Sequence, residues 1–355
     1  MKRFAVLALL SMAACNGTSD PKLGESVDPT VPSGAYTTWQ GNVDASRCGG
    51  TTPAVALRRC VADAGAASVA LGVCGDLAAD NTVTVDARDV AVAGSTRVAS
   101  PLRVGASLTS VGGVRGDNTI DVAGDLRTSG PWSVSAPARV GGDAFTNALR
   151  ADNTASIGGT LHAFSTEGSG QVTAAATTAE AFAISSPLTC ANAVDVAAAA
   201  RASADNEAII VKTPADITVG CGEYIVAGIE AANELTFRVA GNAVLVIRGD
   251  LHIAAPTRFI VDPGATLDIV IGGSLRVDNT LSIEGGPTWL GVNGMVHVAA
   301  PMTLTGWLVA PGTDVGVDNT LSIAGAAYVR SLRVAAPLNI TPGAPLDGRG
   351  CVVAD

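Results

Sequence analysis

From Val315 to Ile340 the apolar residues come in pairs one residue apart: Val315/Val317, Leu321/Ile323, Ala327/Val329, Leu332/Val334 and Leu338/Ile340. Each pair reads as the inward half of a very short strand, because side chains alternate across a strand with a period of two. Small, polar or proline residues separate the pairs. Two of these separators, Asp318-Asn319-Thr320 and Ala335-Ala336-Pro337, occupy equivalent places between a V-x-V-like and an L-x-I-like pair. The same arrangement recurs along most of the chain. Such short pairs cannot bury their apolar side alone, and stacking successive turns gives them one continuous core. The expected fold is therefore all-β: a β-solenoid (β-helix) with coils of about 18–20 residues in two arrays, with short capping helices and disulfides.

The repeat can be counted from the residue that opens each coil. In the first array these anchors are Leu77, Thr96, Val114, Trp132 and Leu149, with steps of 19, 18, 18 and 17 residues. The corners alternate strictly: Asp80-Asn81-Thr82, Ala99-Ser100-Pro101, Asp117-Asn118-Thr119, Ser135-Ala136-Pro137, Asp152-Asn153-Thr154. Residues 165–181 are rich in Ser, Thr, Ala and Gly and predict a linker or loop. The second array has anchors Ile229, Leu251, Leu275, Val296, Val315 and Leu332, with steps of 22, 24, 21, 19 and 17 residues. Its corners are Ala232-Asn233-Glu234, Ala254-Ala255-Pro256, Asp278-Asn279-Thr280, Ala299-Ala300-Pro301 and the two already quoted. Corner type is kept where coil length drifts, so the corner matters more than the length.

Helices are predicted over about Pro53–Ala66, with Pro at the start and Gly65 near the end, and over the Ala-rich stretch Ala191–Ala204. Each would cap an array, whose first coil otherwise presents unpaired strand edges. The chain then divides into 1–15 (lipoprotein signal peptide and lipobox), 16–35 (tether), 36–75 (Cys-containing helical cap) and 76–164 (first array). Residues 165–220 follow as linker and helical cap, and 221–355 as second array with a C-terminal cap.

The first fifteen residues carry an address. Lys2-Arg3 precede the apolar run Phe4–Ala14, and Met12-Ala13-Ala14-Cys15 resembles a bacterial lipobox. That resemblance implies removal of residues 1–14 and lipid on Cys15, whereas an ordinary signal peptide would be cut near Ala14. Either way the chain is exported. Six further cysteines, Cys48, Cys60, Cys74, Cys190, Cys221 and Cys351, make an even set and are disulfide candidates of undetermined connectivity. No C-x2-C pair is present and His162, His252 and His297 lie elsewhere, so no metal site or cofactor is expected. A net charge of −10 argues against a nucleic-acid partner, which needs a basic stripe.

Several groups of residues carry side chains capable of chemistry. Stacked Asp80/Asn81, Asp117/Asn118, Asp152/Asn153, Asp278/Asn279 and Asp318/Asn319 resemble a cation ladder, but they recur only in alternate coils. The simpler expectation is turn chemistry, with Asn tolerating left-handed backbone and Asp accepting N–H bonds, while Pro101, Pro137, Pro256, Pro301 and Pro337 make the same bend. Proline lacks an N–H, so a corner carbonyl beside it is expected to serve the Asn amide of the next coil. Arg115, Arg150, His252, Arg276, His297 and Arg333 follow their anchors and form a row on one outer face, either a solvated face or a strip for an anionic glycan. Asp262, Asp268 and Glu284 are read first as solvated corner acids, with a polysaccharide-cleaving cluster across coils as the alternative. Thr82, Thr119, Thr154, Thr280 and Thr320 align, but singly and in alternate coils, which is a weak ice-binding pattern. Trp39, Trp132, Trp289 and Trp307 are not grouped, and no nucleophile elbow or phosphate loop occurs, so no catalytic residue is expected.

From Cys221 to Ile340 the segments A-V-L-V-I-R-G-D-L-H-I (243–253), G-A-T-L-D-I-V-I-G-G-S-L (264–275) and T-G-W-L-V-A-P-G-T-D-V (305–315) resemble an uncharacterised family of exported bacterial β-solenoid domains, some linked to pilus assembly. The G-D-L and G-S-L coils are more loosely similar to bactofilins. These resemblances imply a scaffold and transfer no catalytic residue. The expected function is a lipid-anchored cell-envelope β-solenoid, at the outer membrane or cell surface, with a structural, adhesive or surface-assembly role. The alternative is a glycan-binding or polysaccharide-degrading β-helix. Expected partners are the membrane through the lipid and an envelope protein or glycan, with the chain itself a monomer.

Overall fold

In a computed structural model of the protein, the described residues are 36–39, 69–186, 188 and 208–343. They form one all-β solenoid of about 13 turns, with every strand pair parallel and no helix among them. Each turn has three strands and the rod three faces. Face A carries strands such as Leu77–Ala79 and Leu275–Val277, face B Leu102–Val104 and Leu235–Val239, and face C Leu108–Ser110 and Leu267–Ile271. Inward Val, Ile, Leu and Ala of all faces make one core: Leu77, Val83, Leu251, Leu275 and Val334 have no exposed surface. Strands this short persist because each is paired above and below, about 4.8 Å away.

The register steps are wider than one coil length of eighteen to twenty residues allows. Leu149 lies beside Trp132, a step of 17, and Leu275 beside Leu251, a step of 24. The added residues sit on faces B and C. The first array uses three-residue strands there (Leu102–Val104, Leu108–Ser110), and the second uses five (Thr257–Val261, Leu267–Ile271). Face A keeps strands of three or four residues in both, as in Leu77–Ala79 beside Ser95–Val98 and Leu251–Ile253 beside Leu275–Val277.

The capping helices over 53–66 and 191–204 lie outside the described residues, and the strand Tyr36–Trp39 pairs with residues 216–219 at the foot of the second array. Residues 165–181, expected as a linker, instead add a last thin turn: 165–167, Val172–Thr173 and Ala176–Thr178 pair with the coil below. The arrays also stack out of chain order. The last turn of the second array carries the first turn of the first array, with Ala327 beside Leu71, Leu332 beside Leu77 and Leu338 beside Val83. Backbone bonds cross this seam as inside an array, for example Cys74 N–H to Val329 O (2.9 Å) and Asp86 N–H to Ile340 O (2.9 Å). Tyr328 adds a buried O–H bond to Val69 O at 3.0 Å.

After the strand Tyr36–Trp39 at the foot, the chain joins the rod again at Val69 in mid-length, climbs to Thr178, and turns back. Phe182 N–H donates to Asn147 Oδ1 (2.8 Å) and Ile184 N–H to Ser129 Oγ (2.7 Å), stepping down face C of the first array. Leu188 reaches the seam, where it packs with Val69, Ala91, Ala326 and Tyr328. At Ile209 the chain begins the lowest turn of the second array, whose partner above is Ile229.

Candidate functional site

The A–B corners form the most regular polar feature of the rod. In each Asp-Asn-Thr corner the Asn side-chain oxygen accepts the N–H of the following residue, as in Thr320 N–H to Asn319 Oδ1 at 2.8 Å and Thr82 N–H to Asn81 Oδ1 at 2.8 Å. The Asn amide then donates to a carbonyl of the turn below. Asn319 reaches Ala299 O (3.4 Å), Asn279 reaches Ala254 O (3.5 Å), Asn118 reaches Ala99 O (3.5 Å) and Asn153 reaches Ser135 O (3.4 Å). Every acceptor opens a corner that ends in proline. Asn233 follows the same rule on Lys212 O (3.3 Å), below which stands Pro214, a corner the sequence reading overlooked. The alternation has a physical cause: the Asn side chain occupies its neighbour's N–H and replaces it as the donor, whereas proline has no N–H to occupy. The stack continues through the seam, where Asn81 donates to Ala335 O at 3.3 Å across 254 residues of sequence.

The corner aspartates pair with the cationic row. On face A, His252, Arg276 and His297 are register neighbours, as are Arg97 and Arg115. Asp278 takes Arg276 of its own turn (2.6 Å) and His252 of the turn below (2.9 Å). Asp117 takes Arg115 (3.1 Å), Asp152 takes Arg150 (3.2 Å) and Asp318 takes His297 (2.8 Å). Hydrogen bonds from Arg276 and then His252 hold the Asp278 carboxyl below its ordinary range. The row is thus largely neutralised and is not a bare strip for an anionic ligand.

A second side-chain ladder, at the B–C corners of the first array, was missed. Asp89 Oδ1 accepts Ser107 N–H (2.9 Å), Ser107 Oγ accepts Asp125 N–H (3.1 Å), Asp125 Oδ1 accepts Asp143 N–H (2.9 Å) and Asp143 Oδ1 accepts Thr160 N–H (2.7 Å). Burial pushes Asp125 up, but the Arg127 hydrogen bond and the Asp143 N–H outweigh it and leave the carboxyl lowered. The signal was present as the small-Gly-Asp triplets Ala123-Gly124-Asp125 and Gly141-Gly142-Asp143.

Asp262, Asp268 and Glu284 do not converge. Asp262 pairs with Arg238 (3.7 Å) at the B–C corner, and Glu284 with Arg258 (2.5 Å) on face B. Asp268 is buried on face C beside Trp289. The corner threonines, such as Thr320, use their N–H in the Asn turn and stay one per two turns. Among the described residues no three His, Cys, Asp or Glu are grouped to hold a metal ion. Cys74 and Cys221 stand several turns apart and so do not bond to each other. Cys48, Cys60, Cys190, Cys351 and the lipidation candidate Cys15 lie outside the described residues.

A concavity lies on face B just below the seam. About 340 Å3 in volume, it is lined by Glu284, Thr303, Thr305, Ser322, Asn339 and Thr341 around Ala324. Ser282, Thr303, Ser322 and Asn339 stand in one column of the register. Thr303 donates to Ser282 Oγ (3.1 Å), while Thr305, Ser322, Asn339 and Thr341 have no side-chain partner among the described residues. The sequence reading did not single out these residues, because isolated Ser and Thr on a strand look like any solvated face.

Residues 188–348 match a family model described as "Domain of unknown function (DUF7305)", which covers the second array and its approach. No curated protein and no solved structure matches the chain.

Proposed function

We propose that this protein is a lipid-anchored cell-envelope rod with a structural or surface-assembly role, exported and held at the outer membrane or cell surface through Cys15, and not an enzyme. The observation that carries this reading is the uninterrupted ladder through the seam. Its polar corners and charged row are spent on one another, turn on turn, which suits a stiff spacer better than a site. At about 4.8 Å per turn the rod is about 60 Å long. The cysteines would add disulfides outside the ladder, as expected of an exported chain. A relation to pilus-assembly domains or bactofilins belongs to this proposal too.

A second reading, glycan binding, is favoured by the face B groove, whose hydroxyl and amide groups are unoccupied and convergent. One experiment separates the two. The lipid-free chain is heated with a calcium series and a glycan panel, and the unfolding temperature is read. No shift with any ligand is expected of the rod. A shift with one glycan class that disappears in Asn339→Ala would overturn it in favour of binding, and a calcium shift lost in Asp318→Asn would assign the corners to a cation.

A further inference from the structure

After Thr178 the chain descends face C of the first array as a strap, residues 179–186, which forms no strand. Side chains of the rod hold it. Phe182 and Ile184 are half-buried while Ala181 and Ala183 are exposed, so alternate residues face the rod. Asn147 Oδ1 accepts Phe182 N–H (2.8 Å) and its amide donates to Ser129 O (2.6 Å), while Ser129 Oγ accepts Ile184 N–H (2.7 Å). The Phe182 ring lies on Phe145, with centroids 4.8 Å apart. Phe145 also carries the His162 ring, stacked at 4.3 Å and 4°. Arg127, Phe145, His162 and Thr178 are successive neighbours in the outward column. At the head of the strap, His162 Nδ1 meets the Glu180 carboxylate and the Thr178 hydroxyl (2.8 Å), and Thr178 Oγ1 donates to Glu180 Oε1 (3.3 Å).

We propose that His162 and Glu180 form a latch that acid tightens, holding the strap closed on the upper first array. A carboxylate only accepts, so its contact with Nδ1 needs a hydrogen on that nitrogen. The protonated ring always carries one there and adds the opposite charge. The neutral ring has no charge to offer, and its single hydrogen can sit on Nε2 instead. The other groups near the ring do not compete. Phe145 below and Thr178 above are uncharged, and Arg127 is paired with Asp125 (2.8 Å). Asp143 accepts Thr160 N–H at the B–C corner, and Glu167 stands on face A beside Arg150. Imidazole is the side chain that ordinarily changes charge between about pH 5 and 8, where a glutamate stays ionised. The closed strap is therefore favoured as pH falls through that range and loosens as it rises. Loosening lifts Phe182 from Phe145 and uncovers an apolar face on the upper first array.

Hydrogen exchange of the full chain tests this, read by mass spectrometry at about pH 5.5 and about pH 8 and normalised at each pH to a free peptide of the strap sequence. Protection of the Phe182 and Ile184 amides is expected to be about two- to fivefold greater at the lower pH, the span of an exposed ion pair. His162→Gln keeps a hydrogen-bonding group that does not titrate, and Glu180→Gln alters an exposed strap side chain outside the core. Each should remove the difference while amides of 120–122 stay protected. His252→Gln and His297→Gln, on face A of the second array, should leave it in place. Should His162→Gln also lose protection over 144–146, its effect is one of folding and Glu180→Gln decides alone. Equal protection at both pH values in the unaltered chain would overturn the proposal. So would a difference that survives Glu180→Gln, or one that disappears in the face A variants.

Discussion

The two arrays share one corner chemistry and differ in girth. In the first, most strands of faces B and C are three residues long with a single outward side chain, and the outward column of face C is mixed, running through Ala91, Thr109, Arg127 and Phe145. In the second, five-residue strands carry two outward columns, and on face C both are buried and mostly apolar, with Asp268 standing between Val244 and Trp289 in one of them. Widening a face by two residues leaves every inward side chain inward, since the strand period is two. It changes only what the outside offers. The A–B edge cannot vary in this way, because each Asn must stand over the carbonyl of a proline corner. Coil length is thus free where strands only pair and restricted where side chains ladder.

The largest effect should come from the glycine bends that let second-array strands such as Met302–Val317 pass from face B to face C. Gly306 has φ +139, and a Cβ there would stand 1.8 Å from Thr288 O; at Gly325 it would stand 1.8 Å from Gly306 O. Gly306→Val is expected to cost more than about 4 kcal/mol in chemical denaturation. Gly316→Ala, whose nearest neighbour is His297 at 3.7 Å, should stay within about 0.5 kcal/mol. Similar losses at both would mean that the bend is not what distinguishes the wider array.

Next comes the seam. Leu332→Ala and Leu251→Ala both empty a fully packed site, each costing about 2–5 kcal/mol. The first lies against Leu77 of the other array and the second inside its own array. Leu332→Ala should separate urea unfolding into two steps, and Leu251→Ala should shift the second-array step alone. A single step for both variants would show that the arrays unfold as one unit.

Smaller losses are expected at the corners. Asn81→Ala at the seam and Asn319→Ala inside the second array each remove two hydrogen bonds, one of them long, at about 1 kcal/mol by urea midpoint. Equal losses would confirm that the seam uses ordinary stacking chemistry. No loss at Asn319 would remove the case for the side-chain ladder.

The smallest effect concerns acid. Asp278, held by Arg276 and His252, and Asp314, held first by Arg330 and then by Ser331, have carboxyls lowered in the folded chain. Their stabilisation is present above the unfolded carboxylate value of about 3.9 and is lost as pH falls through the lower folded value. Both lie at the surface, so each contributes little. Asp278→Asn should lower the urea midpoint slightly at pH 6 and progressively less as the pH falls below the ordinary carboxylate range; equal lowering at every pH would assign the loss to packing.

How far the molecule can be read from its residues depends on distance along the chain. The anchors Leu251, Leu275 and Val296 and the corners between them are local, and alternation with turn residues identifies them. Asp125 and Asp143 were legible but unread, because Gly-Gly-Asp also suits any tight turn. The face B groove was not legible: Thr305, Ser322 and Thr341 acquire meaning only when register sets them side by side.

By itself the sequence determined that the chain winds into short parallel coils and that two corner types alternate, since a period of two and a missing proline N–H act within one or two turns. Only the tertiary structure decided that Leu332 meets Leu77, so that the later array lies beneath the earlier one. Every turn edge here offers the same apolar triplets to its neighbour. Which edges meet is settled by the whole chain's path, through Leu188 and back to Ile209, and by a corner phase that lets Asn81 find Ala335.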